Sequence, residues 1–241
     1  MNIAIVDTRL SDEAERRLSL YGFEVIRLPR CSSLGEAIAS HPDSLLFRCM
    51  DDIVLSADYC EEASYVFTDI RERVGNIRFQ FSSDTLGERF PYDCRFNALV
   101  MGRYLFARVN TVSETVLRVA KENGLELVKV KQAYPACATL ALGDRAALTA
   151  DRGLAAAMRS VGIQVYEIEP AHISLPPYEY GFIGGACGVF EDKIYFFGDY
   201  RLHPSAEIIE RAAKEQGYTA VSLGAEGLVD LGGIVFIKKE A

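Results

Sequence analysis

ATLALGDRAALTADRGLAAAMRSVGIQVYEI, residues 138–168, reads as one complete small unit of structure. An apolar strand leads into a Gly143-Asp144 turn and a second short strand. A helix follows, Gly162 ends it, and a third apolar segment closes the unit.

The same order recurs along the chain, and a fixed period of this kind decides the architecture before any single residue does. Asn97 to Val130 repeats it, with Gly102-Arg103 as the turn, a capping box from Thr111 to Glu114, and Gly124 after the helix. Cys187 to Leu223 repeats it with Glu191-Asp192-Lys193 as the turn, Ser205 as the helix cap and Gly217 as the stop. Ser44 to Phe81 fits more loosely, turning at Met50-Asp51-Asp52 and stopping its helix at Gly75. The fifth copy is split: Gly233 to Ile237 supplies its first strand, while Asn2 to Leu28 supplies strand, helix and strand.

Gly22, Gly75, Gly124, Gly162 and Gly217 stand at one place in the five copies, where a left-handed residue ends a helix without a Cβ penalty. Such a unit cannot bury its own apolar surface, so the copies pack on one another, and a copy shared between the two ends implies closed radial repetition. The fold class expected is an α/β, five-bladed ββαβ pseudo-symmetric propeller, with short mixed sheets inside and helices outside. Residues 1–241 form one domain whose first repeat the C-terminal strand completes. The segments Arg30 to His41, Ser82 to Phe96 and Glu169 to Ala186 exceed ordinary connections and are expected to be lids or site loops.

Composition narrows the function classes. Of 241 residues, 49% are hydrophobic and 25% charged, the usage of a globular protein able to bury a core. No apolar run reaches the roughly 20 residues of a spanning helix, and MNIAIVDTRL lacks a basic stretch before a long apolar one, so a cytoplasmic protein without membrane association is expected. The six cysteines show no CxxC spacing, which points to reduced thiols and to no metal. A net charge of −8 disfavours nucleic acid and favours a cationic small molecule. No HExxH, GxSxG, Walker A or GxGxxG pattern is present, Asp7-Thr8-Arg9 standing where a dinucleotide fold needs its glycines, so no cofactor is expected. Gly181, Gly184, Gly185 and Gly188 read as a tight strand entry. A homodimer is compatible with all of this.

Five such repeats with a shared first strand resemble the pentein superfamily of guanidino-group-modifying enzymes. VKVKQAYPACATLAL (128–142, beginning at Val128), YGFIGGACGVF (180–190) and LVDLGGIVFI (228–237) look like an uncharacterised bacterial branch of it. The resemblance implies a nucleophilic cysteine opening the first strand of the last repeat, with a histidine and carboxylates nearby. The matching stretch here, Asp230-Leu231-Gly232-Gly233-Ile234, has no cysteine. The superfamily also includes a ribosome anti-association factor that binds without catalysing, so the fold leaves catalysis open.

Cys137 and Cys187 open the first strands of two other repeats and are the substitute nucleophiles, unless they are small buried residues at crowded strand starts. His172, in the long loop after Glu169, is their expected proton carrier. His41 and His203 each precede a proline and are read as turn or helix-start residues. Asp7, Asp58, Asn110, Asp151 and Asp199 recur before the helices as caps, and Asp151 is chosen among them as a ligand carboxylate. Tyr178, Glu179 and Tyr180, after a Pro176-Pro177 step able to hold a cis bond, form the expected recognition loop for a cation. Glu226 and Asp230 are either an acidic pocket or solvated turn residues. The expectation is a degenerate or non-catalytic module that binds a small amino-acid, guanidino or amidine-like ligand in its channel, or a protein. The alternative is a cysteine hydrolase or transferase of a small amidine or amide.

Overall fold

The tail of the chain completes the sheet that its head begins. In the computed structural model, which describes residues 1–239, Val235–Ile237 runs antiparallel to Asn2–Asp7, with Ile5 opposite Val235 and Ile3 opposite Ile237. The first sheet is thus β1 (Asn2–Asp7) and β2 (Phe23–Leu28) with the last strand, β15 (Val235–Ile237). The second holds β3 (Leu46–Cys49), β4 (Asp52–Ser56) and β5 (Arg78–Ser82), and the third β6 (Leu99–Met101), β7 (Tyr104–Ala107) and β8 (Glu126–Lys129). The fourth holds β9 (Thr139–Leu142), β10 (Ala146–Thr149) and β11 (Gln164–Glu167), and the fifth β12 (Cys187–Phe190), β13 (Lys193–Phe196) and β14 (Thr219–Ser222).

All five sheets share one plan: the middle strand is antiparallel to the first and parallel to the third. A hairpin makes the antiparallel pairing in four of the sheets and the two ends of the chain make it in the first, while each parallel pairing needs a crossover, which a helix supplies. The crossover helices are α1 (Asp12–Leu20), the pair α3 (Ala57–Glu62) and α4 (Ser64–Arg73), α5 (Glu114–Glu122), α6 (Arg152–Ser160) and α7 (Ala206–Glu215); a short α2 (Pro42–Leu45) precedes β3. Each longer helix buries one stripe, as α6 does with Leu154, Ala155 and Met158. The apolar clusters form between neighbouring sheets: Leu99, Met101 and Phe106 pack with Ala147, Leu154 and Met158, and Val6, Leu18 and Phe23 with Tyr195, Phe197 and Phe236.

Four of the five helix-stop glycines are left-handed, with φ of +88° at Gly22, +75° at Gly124, +86° at Gly162 and +79° at Gly217. Gly75 departs, because α4 ends on Val74 in extended conformation. Two local readings are also corrected. Ser113, not Thr111, caps α5 and accepts the Thr115 N–H, while the Thr111 hydroxyl donates to the Arg108 carbonyl. Ser205 stands at the start of α7, but its hydroxyl accepts the Glu169 N–H and so anchors the long loop instead. The third strands are also less covered than expected: in β8, Glu126, Leu127 and Lys129 are exposed, since the third strand lies at the edge of its sheet.

Among the described residues, no helix is long and apolar enough to cross a membrane.

Candidate functional site

All three long inserts send residues into one cavity of about 400 Å³. The first contributes Ile38 and His41, the second Asp93, and the third Leu175, Tyr178, Glu179, Tyr180 and Phe182; Asp43, Ser44, Asn97, Tyr134 and Cys137, from around the starts of β3, β6 and β9, complete the lining. A loop that must cover a ring of short strands has its apolar residues held against the strand starts, which brings the polar ones inside.

Beside this lining the chain brings five titratable side chains together, Cys137, His41, Asp7, Asp43 and Asp230. Asp230 is fully buried, and its carboxylate accepts the Phe182 N–H (2.8 Å), the Gly232 N–H (3.0 Å) and the Cys137 thiol (3.4 Å). His41 is 1% exposed, with Nδ1 3.9 Å from Asp230 and 4.0 Å from Asp43, and Nε2 3.7 Å from Asp7. Glycines make the approach possible. A Cβ on Gly185 or Gly181 would overlap Asp230, and one on Gly232, at φ +70°, would overlap His41. The tight strand entry read in the glycine run is therefore the cradle of this carboxylate.

Electrostatics separates the acids. Burial pushes the Asp43 carboxyl up, His41 draws it down, and the charge of Asp230 raises it again. Burial also acts upward on Asp7, but the backbone and guanidinium of Arg9 more than offset it and hold that carboxyl below its ordinary value. Cys137 is pushed well above its ordinary value by burial first and then by the charges of Asp230 and Asp43. The resting group is a neutral thiol that donates hydrogen bonds to carboxylates.

A second polar group lies in the same wall. Tyr134 donates its hydroxyl to Asp93 Oδ2 at 2.8 Å and stacks on Phe182 with ring centroids 6.5 Å apart. The Asn97 carbonyl oxygen accepts the Ala136 N–H. His41 Nε2, Asp43 Oδ2, Asp93 Oδ1 and Asn97 Nδ2 are all buried without a protein hydrogen-bond partner. Four unmatched polar atoms on residues of one cavity are costly to fold around and mark a place where a ligand or water completes them.

The expected residues divide between this cavity and other places. Cys137, Tyr178, Glu179 and Tyr180 line the cavity, and Asp230, hydrogen-bonded to Cys137 and fully buried, is no solvated turn residue. Pro176-Pro177 is cis. Cys187 donates its thiol to the Ile183 carbonyl, is raised chiefly by burial, and faces a smaller space of about 180 Å³ with Arg48 and Ile234. His172 is exposed, at φ +61°, and its ring meets that of His203 at 6.0 Å; it does not line the cavity with Cys137. Asp151 is engaged as the α6 cap, accepting the Leu154 N–H at 2.8 Å and the Gln132 amide at 2.8 Å, beside a separate cavity of about 230 Å³. Glu226 is exposed. Of the other repeated caps, Asp199 accepts from Arg201 N and Asp7 from Arg9 N, while Asp58 lies inside α3.

His41, Asp43, Asp93, Asn97 and Tyr134 were not singled out by the sequence as site residues. The usable signal was the position of the long inserts, since His41 ends one and Asp93 lies in another. Among the described residues, no cluster of His, Cys, Asp and Glu is suited to hold a metal ion.

Five equivalent three-stranded sheets, the first completed by the last strand, have the plan of a pentein-type propeller. The fold is similar to that of an amidinotransferase from Microseira wollei in the saxitoxin biosynthetic pathway (TM-score 0.58, 11% identity, covering 95% of this chain and 79% of that one). It is similar also to the dimethylarginine dimethylaminohydrolase of Pseudomonas aeruginosa complexed with citrulline (TM-score 0.57, 10% identity, 92% and 91%) and to C. jejuni agmatine deiminase (0.54, 7%, 92% and 76%). Residues 5–235 match the model of DUF6873, a family of unknown function, and the chain belongs to that family. No curated protein sequence matches it.

Proposed function

We propose that this protein binds a small organic cation, a guanidinium, amidinium or ammonium compound, in the cavity between the three inserts, without turning it over. The observation that carries this reading is the pair of unmatched buried carboxylate oxygens, Asp43 Oδ2 and Asp93 Oδ1, around a cavity whose thiol is protonated at rest. A cation satisfies Asp43 and Asp93 with directed N–H donors and lowers the cost of holding their charges out of water. Tyr178 and Tyr180, 52% and 38% exposed at the entrance, offer aromatic faces to the same charge.

The test is thermal unfolding of the purified protein against a panel of guanidines, amidines, amines and neutral or anionic metabolites. Stabilisation confined to cations, and lost in Asp43→Asn, supports the reading; an ion at a hundred times its Kd adds about 2.7 kcal/mol. Stabilisation by anions or neutral compounds alone rules it out.

One observation favours a second reading, a cysteine hydrolase or transferase. Cys137 lies beside Asp230 and Asp43, the two carboxylates that a bound cation would neutralise. With the cation in place the thiol falls in pKa and can attack an amidine carbon, forming a C–S bond while its proton passes through a neighbouring acid to the departing amine. His41, not His172, is then the nearby imidazole. A covalent adduct on Cys137 in intact-protein mass spectrometry after incubation with an amidine would decide for it.

A further inference from the structure

The cavity has acid in two separate places. Asp43 belongs to the group around Cys137, Asp230 and His41, while Asp93 belongs to the group of Tyr134, Asn97 and Phe182. Asp93 is 7% exposed and Asn97 2%, and each has a buried polar atom without a partner, Oδ1 and Nδ2. Glu179 stands in the exposed third insert between the two tyrosines and adds a further carboxylate to the lining.

Against these acids, none of the lining residues is a lysine or an arginine. His41 is the one basic side chain there, and its ring nitrogens lie 3.7–4.0 Å from Asp7, Asp43 and Asp230, so any charge it carries is already matched. A ligand bearing a carboxylate would bring a negative charge into a partly desolvated space that holds acids in both of its polar groups and no free cation to receive it.

Building on the cation-binding reading above, we infer that the ligand is a linear dication without a carboxylate: an α,ω-diamine or an aminoalkylguanidine, one charge at Asp43 and the other at Asp93 and Glu179. The cavity then selects against basic α-amino acids, whose carboxylate meets no lysine or arginine there. Selection of this kind comes from repulsion as much as from attraction, since the disfavoured ligand strands a charge.

Calorimetric titration of the full chain with matched compounds tests this: 1,4-diaminobutane against butylamine and ornithine, and (4-aminobutyl)guanidine against butylguanidine and arginine. The inference predicts that at least one dication binds about tenfold or more tightly than both its monocation and its amino acid. It also predicts that Asp93→Asn shrinks the ratio of dication to monocation affinity, with Glu179→Gln at the exposed entrance as the second variant should Asp93→Asn not fold. Equal binding of amino acid and dication, or ratios unmoved in every folded variant, overturns it while leaving cation binding intact. Absence of binding by every cation overturns the cation-binding reading itself, and this inference with it.

Discussion

Cys137 Sγ lies 3.4 Å from Asp230 Oδ2, so the approach to β9 and the approach to the closing strand, 93 residues apart, meet in one buried hydrogen bond. Asp230 stands in the stretch where the pentein resemblance implies a thiol, and the thiol it meets, Cys137, belongs to another repeat.

Asp230 is therefore a structural keystone as well as part of the site. Asp230→Ala leaves the Phe182 and Gly232 N–H groups and the Cys137 thiol without their acceptor, which costs about 3 kcal/mol or more. Urea unfolding measures it. A loss below about 0.5 kcal/mol, the range of ordinary surface changes, would contradict the placement.

Reactivity of the six thiols should follow their surroundings. Cys137 is raised well above its ordinary value by burial and by two carboxylates, whereas Cys60 is only half-buried, and the rise that burial gives it is opposed by Arg71. Alkylation at neutral pH followed by peptide mapping should label Cys60 before Cys137. Asp43→Asn removes one of the charges that raise the thiol and should speed Cys137 labelling at fixed pH.

The glycine cradle gives a contrast between two substitutions to alanine. Gly22, at φ +88° with open space around it, carries only the left-handed backbone penalty, about 1 kcal/mol. At Gly185 the new Cβ overlaps Asp230 with no flexible neighbour to yield, so the loss should reach about 3 kcal/mol or more. Paired unfolding curves settle the order.

Away from the cavity, Asp52 predicts an acid-sensitive strut. Its hydrogen bonds from Arg78 bring its carboxyl down from 3.8 to about 2, against burial and with help from Asn123 and Gln80. A depressed carboxyl contributes stability above its unfolded pKa and loses it as pH falls through the folded one. The stability gap between wild type and Asp52→Asn should be full above about pH 4 and close as pH approaches 2, provided other groups titrate equally in both.

How legible was this molecule in its sequence? The repeats and their closure were, because each copy contains its own turn, helix stop and apolar strands, and Ile5 faces Val235 as the split copy requires. The site was legible only in outline. The three inserts were visible by length, and Tyr178, Glu179, Tyr180 and Cys137 line the cavity, with Asp230 hydrogen-bonded to Cys137. His41 was read through its local role before Pro42, which it fulfils as the residue preceding α2, but local pattern says nothing of a ring buried beside Asp7 and Asp230, two carboxylates from distant segments. His172 drew attention as the one histidine of a long loop, yet its neighbour is His203. Asp93 and Asn97 carry no motif, and their importance arises solely from what the fold leaves unmatched around them.

The most direct test of a cation held by Asp43 is its proton balance. Burial raises this carboxyl, so a positive ligand should displace a proton from it, and affinity should climb with pH through the raised range and then level off. Titration calorimetry of methylguanidine at several pH values, in buffers of different ionisation enthalpy, reads both quantities. Proton release with affinity rising from acid to neutral pH, both abolished in Asp43→Asn, is the predicted result; binding with no proton release, or unchanged by that substitution, would contradict it.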